Sequence, residues 1–340
     1  MKKNKIFFRA DGHAQMGLGH VFRSLALVQM LKDHFECHFI IRTPLPILEK
    51  QILKVCHSMI KIDDLKSHEE EIKEICTTLQ SGDIIVLDGY HFKTNYQQAL
   101  KNKGLIVLCI DDIKAYHFVA DGIINHAPGL LPEVYSKESY TKTFLGLEYS
   151  LLRPPFLAAA KMDRQITSLN NVFVCFGGAD HTNISLKCLQ YLSSIPELIK
   201  EVNVVLGGAN SYKITIEKFA KKEKRIYINT HQNLSATQMV HLMQASDLAI
   251  VPASSILYEV ASVGMPVISG YYVDNQVNVY KGFHQLGLIE GIGNFNTFSN
   301  YKEKIEILSP LNFNDIIKRQ RQYLRGNSKN NFINLFNSLK

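Results

Sequence analysis

Apolar residues along this chain fall into short, almost unbroken runs separated by amphipathic stretches. In the first half the runs are KIFFRA, ECHFIIR, MIKI, DIIVLD, LIVLCID and GIIN, rich in Ile, Val and Phe. Between them, residues 20–33, 46–56, 67–80 and 93–103 carry apolar positions at helical spacing. Ser67 followed by Glu70 is a capping box that opens one of these helices. The alternation restarts at Asn171 with NVFVCFGG, VNVVLGG, RIYINT, DLAIVP and PVISGY. Strands apolar on both faces belong to parallel sheets covered by helices on each side. The pattern therefore predicts an α/β protein of two doubly wound, parallel-sheet (Rossmann-like) domains facing a cleft. Residues 1–152 form the first, 153–170 a proline-containing linker and 171–312 the second. Residues 313–340 form a helical segment that packs back on the first domain.

Composition narrows the class. With 340 residues and 46% apolar side chains the chain can bury a large core. Its net charge of +7 is spread out, and local runs such as KKEKR (221–225) and KRQRQYLR (318–325) read as solvated helix faces rather than a nucleic-acid surface. Cys37, Cys56, Cys76, Cys109, Cys175 and Cys188 show no metal-binding spacing, and several sit in apolar runs, as expected of reduced core thiols in a cytoplasmic protein. The apolar run after MKKNK is too short for a signal peptide, and no segment has the length of a membrane span.

Candidate chemistry lies where strands run into glycine turns. Gly17 and Gly19 frame Leu18 directly before His20. Gly177 and Gly178 open the turn FGGADHTN, which ends at Asn183, and LGGANSY (206–212) repeats the arrangement. Such turns let a ligand approach the backbone, and the helix starts that follow offer N–H groups to an anion. A dinucleotide fingerprint fails because Phe22 stands where its third glycine is needed, and no G-K-[ST] completes a Walker loop. A nucleotide with a short phosphate chain, such as a nucleotide sugar, remains. In PASSILYEVASVGMPVI (252–268), Ser254 and Ser255 stand at a helix start, and Glu259 lies one turn on, placed to take both hydroxyls of a ribose. The absence of D-x-D argues against a cation clamping the phosphates, and His34 and His38 bracket a strand entry where they need not share a face. No cofactor is expected.

Seven segments, DGHAQMGLGHVFRSLALV, IDDI, GLEYSLLRPPF, FGGADHTN, VVLGGAN, LMQASDLAIVPASSILYE and VDNQ, occur in an order and spacing that resembles the UDP-2,4-diacetamido-2,4,6-trideoxy-β-L-altropyranose hydrolases of pseudaminic acid biosynthesis. That family is similar in turn to the GT-B glycosyltransferases. The resemblance runs from about Arg9 to about Asn278. It implies a GT-B-like architecture with UDP on the second domain, His20 as the group that activates water and Tyr90 as an active-site tyrosine. It also implies that Asn275 and Gln276 reach the sugar and phosphates, and that Glu259 binds the ribose. His13, Ala179, His181 and the stretch NHAPG (125–129) depart from the family pattern and bear on which sugar is taken.

The chemistry is self-consistent. Diphosphate is a good leaving group, so cleavage of a UDP-sugar needs one base for water, whereas an ordinary glycosidase needs a carboxylate pair. The expectation is an inverting, metal-independent hydrolase of a UDP-linked diacetamido-trideoxyhexose. A GT-B glycosyltransferase using a UDP-sugar donor and a non-catalytic nucleotide-sugar-binding module are the alternatives.

Overall fold

The structure, a computed structural model, describes residues 3–12, 18–297, 303–305 and 310–339. Two compact units divide it: residues 1–154 with 327–340, and residues 155–326.

The first unit is built on seven strands, β1 (Lys5–Ala10), β2 (Glu36–Arg42), β3 (Ser58–Ile62), β4 (Ile84–Asp88), β5 (Ile106–Ile110), β6 (Gly122–Asn125) and β7 (Lys142–Leu145). They lie in the order β3-β2-β1-β4-β5-β6-β7, and every pairing is parallel. Helices α1 (Gly19–Leu31), α2 (Pro46–Val55), α3 (His68–Thr78) and α4 (Thr94–Asn102) alternate with the first five strands. The predicted capping box is present on α3, where Ser67 accepts from the Glu70 amide and Glu70 accepts from the Ser67 amide. Strand β7 was not expected: KTFL is a short run on the sheet edge with a lysine at its exposed end, too brief to show a period.

The second unit carries six parallel strands in the order β10-β9-β8-β11-β12-β13. They are β8 (Asn171–Cys175), β9 (Glu201–Leu206), β10 (Tyr227–Gln232), β11 (Leu248–Pro252), β12 (Val267–Tyr271) and β13 (Glu290–Asn294). A short helix, α5 (Pro154–Ala159), precedes them, its paired prolines placed where a helix start tolerates a missing N–H. Helices α6 (Ile184–Leu192), α7 (Lys213–Lys222), α8 (Ala236–Gln244), α9 (Ser255–Val263) and α10 (Val277–Gln285) connect the strands. Helix α9 ends at Gly264 in the left-handed region, φ 76°, a conformation that costs glycine no side-chain clash. Strand β13, EGIGN, has glycines where strand formers would stand, which hid it in the sequence.

The closing helical segment is two helices. Helix α11 (Pro310–Tyr323) lies in the second unit, where Gln320 donates to the carbonyls of Met265 and Leu288 and Arg321 donates to those of Ser262 and Val263. Helix α12 (Ser328–Asn337) lies in the first, with Phe336 against Phe35 and Asn331 bonded to the Glu148 carbonyl. None of the six cysteines is joined in a disulfide, and all but Cys76 are buried. Among the described residues no helix is long and apolar enough to cross a membrane.

Candidate active site

In a doubly wound sheet the ligand crevice opens at the carboxyl ends of the strands where the strand order reverses. In the first unit that point lies between β1 and β4, whose register pairs Ala10 with Asp88. His20 is the second residue of α1, the helix that follows β1, and Asp88 ends β4.

These two residues meet. His20 Nδ1 lies 2.7 Å from Asp88 Oδ1, with His20 only 8% exposed and Asp88 fully buried. Nδ1 also lies 3.1 Å from Arg23 Nη2, but the shorter contact is the one to the carboxylate, which can only accept; Nδ1 therefore carries the hydrogen, and in the neutral ring Nε2 is the acceptor. Asp88 is itself held on several sides. Arg23 donates through Nε and Nη2, the latter at 2.6 Å, and Ser24 donates from its hydroxyl at 3.1 Å. Arg23 also reaches Asp112 through Nη1 at 2.7 Å. Burial works to raise the Asp88 pKa, but Arg23 and His20 outweigh it and hold the carboxyl below its ordinary range. Burial likewise opposes the Arg23 charge, and Asp88 with Asp112 more than restores it. One guanidinium between two carboxylates leaves a net negative charge beside His20, which compensates the positive charge arriving when Nε2 takes a proton.

Tyr90 follows β4 and is 38% exposed. Its ring stands edge-on to His20 with centroids 4.8 Å apart, and its hydroxyl is 3.4 Å from Asp112 Oδ2. Gly19 has open space where a Cβ would stand, with no atom of the described residues within 4 Å of that position. Gly17 lies outside the described residues, as does His13. The sequence did not single out Asp88, Arg23, Ser24 or Asp112 for chemistry. Two signals were available: His20, Arg23 and Ser24 share one helix face at i, i+3 and i+4, and Asp88 is the lone charge ending the apolar run IIVL.

The second unit reverses its strand order between β8 and β11. After β8, Gly177 adopts φ 76° and Gly178 faces open space. Asn183 occupies the N-cap position of α6 in the left-handed conformation, and its buried Oδ1 accepts no hydrogen bond from the described residues. The start of α6 differs from expectation. Its Ile184 and Ser185 amides donate to the carboxylate of Asp180 at 2.8 and 2.9 Å, so the chain supplies the anion there itself. Gly207, in the second glycine turn, has a packing role: a Cβ there would lie 2.2 Å from the Gly178 carbonyl oxygen. That close approach locks the β8 and β9 loops together, aided by the bond from the Ala209 amide to the same oxygen at 3.2 Å.

After β11 the helix start is different. Ser254 is the N-cap of α9, yet its side chain makes no capping hydrogen bond, and Ser255 is exposed. Glu259, half-buried, follows one turn later. Beyond β12, a single turn of 3-10 helix (Asp274–Gln276) leaves Asn275 exposed and Gln276 buried. Gln276 Oε1 accepts from the Tyr272 amide at 3.0 Å, and the Tyr272 hydroxyl reaches the Phe176 carbonyl at 3.3 Å. Those bonds tie the β12 loop to the β8 loop. The fold thus gathers Gly177, Gly178, Asn183, Ser254, Ser255, Glu259 and Gln276 on loops and helix starts that follow strands of one sheet, and His20 with Tyr90 on those that follow β1 and β4 of the other. Among the described residues no three His, Cys, Asp or Glu side chains are grouped to hold a metal ion; His38 is instead bonded to Ser58.

No family model matches the chain. Acinetobacter baumannii MurG superposes over 98% of this chain and 99% of its own, with a TM-score of 0.67 at 15% identity. The fold is GT-B-like. In sequence, this GT-B-like chain is 26% identical over 287 residues to the UDP-2,4-diacetamido-2,4,6-trideoxy-beta-L-altropyranose hydrolase of Campylobacter jejuni, a match covering 80% of this chain and 93% of that enzyme. It is 25% identical over 292 residues to an uncharacterized protein of Methanocaldococcus jannaschii, covering 82% of this chain but spanning only 58% of that protein's length. The resemblance carried by the sequence motifs therefore extends along most of the chain.

Proposed function

We propose that this protein is a cytoplasmic nucleotide-sugar hydrolase that cleaves UDP-2,4-diacetamido-2,4,6-trideoxy-β-L-altropyranose, or a close relative, to UDP and the free sugar. The observation that carries the reading is the buried His20–Asp88 pair at the β1/β4 switch point, beside the exposed Tyr90. Asp88 keeps the hydrogen on Nδ1, so Nε2 removes a proton from water as the oxygen attacks the anomeric carbon from the face opposite the diphosphate. The configuration inverts, UDP leaves as the diphosphate anion, and no general acid or metal is required. Tyr90 and Asn275 contact the sugar. The start of α9 at Ser254 and Ser255 receives phosphate oxygens, Asn183, Gly177 and Gly178 line the nucleotide, and Glu259 takes the ribose hydroxyls.

The similarity in fold to MurG favours a second reading, transfer of the sugar to an acceptor. Incubation with a panel of UDP-sugars in ¹⁸O-labelled water, without acceptor, separates them. Release of UDP with label in the inverted free sugar supports hydrolysis. Label in UDP would place the attack at phosphorus, and turnover only after an acceptor is added would make the protein a transferase. No turnover under either condition would leave a binding module.

A further inference from the structure

Tyr90 and His91 are consecutive, yet they serve different neighbourhoods of the first unit. Tyr90 faces His20 and Asp112. His91 instead stacks on His68, centroids 5.2 Å apart and planes 29° from parallel, and places Nε2 3.5 Å from Asp11 Oδ2. There, at the carboxyl ends of β1, β2 and β3, lies an open pocket of about 440 Å³ lined by Asp11, Arg42, Thr43, Asp64, His68 and His91, with Gly12. Its volume falls within the range of ~300–1,000 Å³ usual for small-molecule sites.

The charges around this pocket identify what it can take. Arg9, fully buried on β1, donates to Asp11 at 2.7 Å and to Glu71 at 2.7 Å. Arg42 donates to Glu71 through Nε and Nη2 and to the carbonyls of Asp64 and Lys66 through Nη1. Two guanidiniums are thus matched by two carboxylates, and neither has charge left for a phosphate. His91 is neutral at physiological pH, since burial, with Arg9 nearby, pulls it down to about 4. Asp64, exposed at the rim, adds negative charge. Among the described lining residues an anion meets no unmatched guanidinium. What the lining does present are imidazole edges, a threonine hydroxyl and carboxylate oxygens, partners for hydroxyl and amide groups. His68 is not needed to cap α3, because Ser67 and Glu70 already do so.

We propose that this pocket is a binding subsite for the uncharged sugar half of the substrate, whose hydroxyl and acetamido groups are read by His68 and His91 as specificity-determining residues. The inference rests on the hydrolase reading above for the identity of the ligand. Physically, the one loop that follows Asp88 carries both Tyr90 and His91, so sugar substituents bound in the pocket would fix the anomeric carbon relative to His20. Binding energy collected away from the reacting bond is then used to orient it.

Two measurements test it. His68 is exposed, so H68A should fold, and H91N keeps a polar edge at the less exposed position. For the preferred UDP-sugar, H68A should raise KM at least tenfold and shrink the preference for a diacetamido sugar over UDP-N-acetylglucosamine, while the Kd for UDP stays at the wild-type value; H91N should do the same more mildly. In ¹H–¹³C spectra of the wild-type imidazoles, N-acetylglucosamine should shift the His68 and His91 signals, and inorganic phosphate or UDP should not. Unchanged KM and selectivity in folded H68A, or imidazole signals that answer to phosphate and not to the sugar, would overturn the subsite. Wild-type protein that hydrolyses no UDP-sugar would overturn the hydrolase reading instead, and the spectral test of the pocket stands independently of that outcome.

Discussion

His20 Nδ1 and Asp88 Oδ1 stand 2.7 Å apart although 68 residues separate them along the chain. Asp88 is anchored by Arg23 and Ser24, so the pair is held from the carboxylate side and the imidazole has one nitrogen left for chemistry. This relationship turns a histidine at a helix start into a directed base.

The first prediction concerns that direction. H20N should lower turnover by ~10²–10⁴ and leave UDP affinity nearly unchanged, because the nucleotide is assigned to the second unit. D88N should fall by a similar factor, since an asparagine can turn its amide toward Nδ1 and stabilise the tautomer with hydrogen on Nε2. Steady-state kinetics and UDP titration on both variants check this. Loss of stability with full activity per folded molecule would make His20 structural.

Nucleotide binding supplies the second. E259A should weaken UDP by roughly 1.5–3 kcal/mol, the range for hydrogen bonds to a charged group. Calorimetric titration measures it. A 2′,3′-dideoxy analogue of UDP should bind wild type about as poorly as UDP binds the variant, and wild-type affinity in E259A would remove the residue from the ribose site.

Acid stability of the first unit is the third. Burial works to raise the Glu71 pKa, but Arg9, Tyr96 and Arg42 hold it at about 2, below its ordinary 4.5. A depressed carboxylate contributes stability above 4.5 that is lost as pH falls toward 2. His91, pulled from 6.5 to about 4, binds its proton more readily in the unfolded chain, so stability also declines as pH falls from 6.5 to 4. Both effects have the same sign. Urea unfolding across this range should show continuous loss of stability, and E71Q should flatten the portion below 4.5. At neutral pH the same substitution should cost about 3–5 kcal/mol, as expected when one partner of a buried ion pair is removed.

What the sequence determined by itself is what local interactions determine. Runs such as IIVLD and LAIVP become central strands because an apolar segment flanked by amphipathic helices has few other ways to leave water. Ser67–Glu70 and Gly264 set helix ends through contacts a few residues long, His20 and Glu259 were legible as candidates from a turn and a helix start, and Tyr90 only through the family resemblance. Strands β7 and β13 escaped because a short edge strand or one interrupted by glycine has no period to read. The tertiary structure decided the chemistry. Asp88 reaches His20 only because β4 is laid beside β1, and His91 reaches Asp11 for the same reason and His68 because α3 begins at that edge. Likewise Asp180 takes the start of α6, while the N-cap side chain of α9, Ser254, makes no capping bond. Hydrogen bonds and charge pairing act over a few ångströms in space, and no spacing along the chain encodes which strands the sheet will place side by side.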